Sequence, residues 1–175
     1  MPALYVYLIS SLPMLDFGMR PPLAWEDFLE LCQPLIPADD YAVVKNLPEA
    51  EQYSGLEGKI ETIRRWVAFD TALRNELVKV RSGRQHIEAA KYLRPLDYSN
   101  FSLAQAVMSA QRNPAPQEAE RLLDRERWDF LEELSLGHYF DLTFLILYAY
   151  KLKILWRWED IRRADKTALL AEVLA

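Results

Sequence analysis

Ile60-Glu61-Thr62-Ile63-Arg64-Arg65-Trp66-Val67-Ala68-Phe69-Asp70-Thr71-Ala72-Leu73-Arg74-Asn75-Glu76-Leu77-Val78-Lys79-Val80-Arg81 is the stretch whose reading decides the fold. Trp66, Phe69, Leu73, Leu77 and Val80 recur at spacings of three and four, which draws one apolar stripe along a helix. Ile60, Ile63 and Val67 broaden it. The spacing predicts a helix from about Glu57 to Arg81, preceded by a break at Gly55 to Gly58 and stopped or kinked near Gly83.

Composition agrees with this stretch. Only 5 of 175 residues are Gly, while Leu, Ala, Glu and Arg are abundant, which favours an all-α chain. With 51% hydrophobic and 27% charged residues the balance is globular. The expected architecture is a multi-helix bundle.

The flanking segments read as further helices. Tyr5-Val6-Tyr7-Leu8-Ile9-Ser10-Ser11-Leu12 has the β-branched and aromatic content of a strand, but no partner strand is evident to satisfy its backbone. A buried helix ending before Pro13 is the better reading. Two short acidic helices follow, one from Ala24 or Trp25 to Pro34 and one from Pro37 to Pro48, each with acids in its first turn. Beyond the central helix, a helical piece covers Gln85 to Leu93, and Ser102 is a candidate N-cap for a helix carrying Leu103, Val107 and Met108.

Asn113-Pro114-Ala115-Pro116 is the strongest linker signal. It divides an N-terminal helical part, 1–113, from a C-terminal part, 117–175, with both expected to pack as one domain. The second part reads as a helix from Gln117 to Leu134, a break at Gly137, a strongly apolar helix from about Tyr139 to Trp158, and a short terminal helix opening at Asp165 or Thr167.

Charge and cysteine content narrow the function. The net charge of −5 makes the chain a poor candidate for non-specific nucleic-acid binding, which needs a basic face. Trp156-Arg157-Trp158 alternates aromatics with a base, but on a helix these side chains diverge and form no stacking platform. The charge is uneven. Asp16 to Glu57 holds nine acids and two bases, whereas Lys151 to Lys166 holds six bases and three acids, which reads either as two solvated faces or as two ends that dock on each other or on charged partners. The single cysteine, Cys32, excludes an internal disulfide and reads as a small core residue.

The start has no basic region of a signal peptide. The longest apolar segment, Leu142 to Tyr150, falls well short of the roughly 20 residues a membrane span requires. The expectation is a cytoplasmic protein that meets a membrane only through a complex.

The chain lacks the usual catalytic signatures. Its glycines are too dispersed for a phosphate loop, and there is no Cys pair for zinc or Gly-x-Ser-x-Gly elbow. Asp70 has Arg74 one turn away as an ion-pair partner. His138 and Asp141 can share a helix face, with Glu133 just upstream. An enzyme built on Asp70, Glu133, His138 and Asp141 would require these groups to converge in one pocket. The preferred reading is a non-enzyme with no cofactor or metal.

Two parts of the chain resemble known families. The opening Tyr5-Val6-Tyr7-Leu8-Ile9-Ser10-Ser11-Leu12-Pro13-Met14-Leu15, with Phe17 to Cys32 and its Pro21-Pro22 and Phe28-Leu29-Glu30, resembles a bacterial family of unassigned function encoded among V-type ATP synthase genes. It is also distantly similar to the aromatic opening of the C/d family of V/A-type ATPase stalk proteins. Leu147-Tyr148-Ala149-Tyr150-Lys151, leading into Arg157, resembles a helix of that same C/d family, although Leu152 stands where the family usually has an acid. The resemblance implies a non-catalytic, all-helical subunit or accessory factor of a rotary ATPase, with its helices in a curved or funnel-like array. Its implied partners are the central stalk, the proteolipid ring, or both. Lys151, Lys153, Arg157, Arg162 and Arg163 are the expected contacts, since bases near a helix end suit acidic partner loops. The competing reading, beside the small enzyme, is a helical adaptor unrelated to ATPases.

Overall fold

The computed structural model describes residues 4–53, 60–96 and 101–174, with the side chains of Glu51, Phe101 and 165–174 excepted. The chain is all-α: among the described residues there are seven α-helices and no strand. They are α1 (Tyr5–Ser11), α2 (Trp25–Cys32), α3 (Ala38–Lys45), α4 (Glu61–Gln85), α5 (Phe101–Arg112), α6 (Pro116–Ser135) and α7 (Leu142–Leu174). Single 3-10 turns stand at Ala50–Gln52 and Ala89–Lys91.

Two compact units share the chain. Unit 1 joins Met1–Leu47 to Ser135–Ala175, and unit 2 is Pro48–Leu134. The Asn113–Pro116 stretch is a turn inside unit 2, where Asn113 Oδ1 accepts the Ala115 N–H at 2.9 Å and Pro116 takes the first helical position of α6.

Unit 1 is built around the start of α7. Leu145 through Tyr150 are six consecutive buried residues, more than a full turn, so the helix has no solvent face there. Polar tethers fix what packs against it. Tyr148 donates to the Pro13 carbonyl at 2.9 Å, and the Trp156 indole donates to the Leu23 carbonyl at 3.0 Å. Phe28 of α2 stacks on Tyr148 with centroids 5.4 Å apart. Cys32 is buried, and burial pushes its thiol up to about 12, which suits a small core residue. The helical reading of Tyr5–Leu12 holds, but burial is only partial. Leu8 and Ile9 face the core while Val6 and Tyr7 are exposed.

Unit 2 is centred on α4. Trp66, Phe69, Leu73 and Leu77 are buried as the stripe predicts, and Phe69 lies parallel to Phe130 of α6 with centroids 4.0 Å apart. Asn75 braces the segment after the second 3-10 turn by bonding both backbone polar groups of Arg94, at 2.9 and 3.0 Å.

Several boundaries differ from expectation. The predicted break at Gly55 to Gly58 lies outside the described residues. Gly83 sits inside α4, and the helix ends instead at His86, which adopts φ 54° and is the only non-Gly residue with positive φ among those described. The His86 and Ile87 N–H groups both reach the Ser82 carbonyl, so two donors close the last turn. That reversal cuts the expected helix at Gln85 to Leu93 down to one 3-10 turn. Ser102 lies within the first turn of α5, so it is not the N-cap. The separate terminal helix at Asp165 or Thr167 is instead a continuation of α7, because no Gly or Pro interrupts residues 142–174.

His86→Gly removes the steric cost of a left-handed L-residue at this position. It is expected to raise stability by about 1 kcal/mol in chemical denaturation with an unchanged m-value.

Candidate functional site

The five bases expected to meet a partner all lie on α7, in unit 1. At about 100° per residue, Lys151 and Arg162 fall on one side of the helix and Lys153 and Arg157 on another. Lys153 lies over the Trp25 ring, 5.1 Å from its centroid. Arg163 lies 5.2 Å from the Trp156 ring and pairs with Glu159 at 3.4 Å. Arg162 binds the same carboxylate at 2.9 Å. Hydrogen bonding from Arg162, with the charges of Arg162, Arg163 and Arg20, holds Glu159 below the ordinary carboxylate range. Arg157 and Arg163 are exposed, whereas Lys151, Lys153 and Arg162 are half-buried. Within unit 1, α3 packs against α7, and Trp25 of α2 lies beneath Lys153.

Three of the four groups proposed for an enzyme are paired with neighbours. Asp70 is buried in unit 2, where its carboxylate accepts Arg74 Nε and Arg127 Nε, both at 2.7 Å. Arg127, itself buried, also donates to the buried Asp124 at 2.8 Å. Burial alone would raise the Asp70 pKa; the charges and hydrogen bonds of Arg127 and Arg74 outweigh it and hold the carboxyl below its usual range. Glu133 is exposed.

His138 and Asp141 lie in unit 1, with His138 Nδ1 2.6 Å from Asp141 Oδ2. The other Asp141 oxygen accepts the Phe144 N–H at 2.9 Å, making Asp141 the N-cap of α7. Gly137, at φ +87°, turns the chain just before this cap. Among the described residues no group of three or more His, Cys, Asp or Glu is placed to hold a metal ion. No helix among the described residues is long and apolar enough to cross a membrane.

Sequence reasoning found the Asp70–Arg74 pair and missed Arg127 and Asp124. A signal was there. Leu123, Arg127, Leu131 and Leu134 share one helical stripe, so a base interrupts an apolar face and calls for a buried acid.

Fold and site together define an all-α protein whose best-ordered polar clusters hold helices in register. No protein family, curated protein or solved structure matches the chain.

Asp70→Asn weakens the compensation of the buried Arg127 charge and is expected to cost about 3 kcal/mol in chemical denaturation. Asp129→Asn, which breaks the exposed Arg125–Asp129 pair, should cost less than about 1 kcal/mol. The folded Asp70 pKa lies below the unfolded value of about 3.9, so its stabilisation is present above that pH and fades as pH falls through the folded value. The gap between wild type and Asp70→Asn should therefore be flat from pH 5 to 7, values chosen about one unit or more above that reference, and shrink only below about pH 4. A gap that closes near neutrality would contradict this account.

Proposed function

We propose that the chain is a non-catalytic, protein-binding subunit or accessory factor of a V/A-type rotary ATPase, similar in role to the C/d family of the central stalk. One observation supports the reading more than any other. The segments that resemble the ATPase-associated families, Tyr5 to Cys32 and Leu147 to Arg157, are far apart in sequence yet build one unit together. Tyr148 bonds Pro13, stacks on Phe28, and is followed two turns later by Trp156 bonded to Leu23. A resemblance spread over parts that pack on each other is easier to explain by common architecture than by chance composition.

In this reading α7 meets acidic loops of the stalk or proteolipid ring through the bases around Arg157. A protein in this position transmits contact and carries out no chemistry. Its surface charge sets association rate and register more than raw affinity.

Co-purification from native membranes tests the proposal. The tagged full-length chain is expected to bring down rotary ATPase subunits at fixed stoichiometry. A Lys151→Glu/Arg157→Glu double variant should lose at least tenfold of that recovery while keeping its thermal transition. Recovery of a different protein with no ATPase component would turn the reading to an unrelated helical adaptor.

A further inference from the structure

Unit 2 contains a cleft of about 520 Å³ that lies between α4 and the segment following the second 3-10 turn. A volume of this order is typical of a small-molecule site. Val67 and Ala68 of α4 and Leu96 opposite supply apolar walls. Arg64 and Arg94 also line the cleft, and none of the described lining residues is acidic.

The two arginines differ in their circumstances. Arg64 is exposed at the rim and is already paired with Glu61. Arg94 is half-buried and held from three directions. Asn75 bonds its backbone N–H and its carbonyl, and its own Nη1 donates to the Ala50 carbonyl at 2.7 Å. Among the described residues Arg94 pairs with no carboxylate, in contrast to the buried Arg127 with its two. A partly desolvated guanidinium with a fixed backbone and no carboxylate partner among the described residues presents its remaining donors to whatever enters the cleft.

The neighbouring hydroxyls complete the picture. Thr71 is 5% exposed, lines the cleft, and its hydroxyl takes part in no hydrogen bond with the described residues. Tyr53 also lines the cleft and lies within reach of the Asp70 charge. Burial, then the Asp70 charge, pushes the phenol above its ordinary value, so it stays neutral and repels no anion.

We infer that this cleft binds a small oxyanion carried on a compact apolar group, with Arg94 as the principal counter-charge and Thr71 as a hydroxyl partner. Arginine meets carboxylate and phosphate oxygens through a planar fork of donors, and a buried polar site discriminates strongly against ligands lacking the matching group. The inference goes beyond the ATPase reading and does not depend on it.

Titration of the full-length chain with benzoate, phenyl phosphate and benzyl alcohol, followed by amide NMR shifts, tests it. At least one anionic probe is expected to give saturable shifts centred on Val67, Ala68, Thr71 and Leu96, and benzyl alcohol to bind at least tenfold more weakly. Which anion binds more tightly tells a carboxylate site from a phosphate site. Arg94→Gln should weaken the anion at least tenfold. Ala68→Phe, which fills the cleft and leaves Arg94 and its bonds in place, should abolish binding without loss of the thermal transition. No saturable shift with either anion, equal binding of the alcohol, or unchanged affinity in Ala68→Phe would overturn the assignment.

Discussion

The Asp70 carboxylate is shut away from water on α4, and unit 2 depends on what neutralises it. Arg127 arrives from α6 and Arg74 from the next turn of α4, and Asp124 satisfies the second side of Arg127. An apolar stripe tells a helix to pack but leaves its rotation loose. A buried ion network of fixed geometry removes that freedom, because any other rotation strands a charge. The parallel Phe69–Phe130 contact lies between the same two helices and fits the same register. Unit 1 reaches the same end with neutral groups. There, Tyr148 and Trp156 each spend a polar tip on a loop carbonyl while their rings fill the core.

Much of the fold was legible because it is written in local signals. The three-and-four spacing of Trp66, Phe69, Leu73 and Leu77, the prolines at 13, 34 and 48, and the acids opening α2 and α3 act within a turn or two of themselves. What stayed hidden depends on contacts between distant residues. Arg127 interrupts an apolar stripe and calls for a buried acid, but nothing local says that the acid is Asp70, 57 positions earlier. Gly83 looked like the stop because glycine tolerates the left-handed region, yet the chain reverses three residues later at His86, where closing bonds to Ser82 outweigh the steric cost. The end of α7 looked like a separate helix because Asp165 and Thr167 are plausible caps. A plausible cap does not interrupt a helix already propagating through good helix formers.

The candidate sites divide in the same way. The bases of α7 were visible as a run of charge, but their use was not: Lys153 and Arg163 lie over tryptophan rings, and Arg162 is tied to Glu159. Part of the basic character therefore serves unit 1 itself. The cleft beside Arg94 had no sequence signature, since Ala50, Asn75 and Arg94 are separated by 19 residues or more and meet only through tertiary structure.

Helix α7 runs unbroken for 33 residues, which at about 1.5 Å per residue makes a strut on the order of 50 Å. Buried residues run along it from Leu145 to Leu155, and Trp156 is bonded to Leu23, so this stretch of the rod is held fast in unit 1. A continuous hydrogen-bonded rod has no hinge at which to dissipate a push. Load on the rod is shared among the Tyr148–Pro13, Tyr148–Phe28 and Trp156–Leu23 contacts.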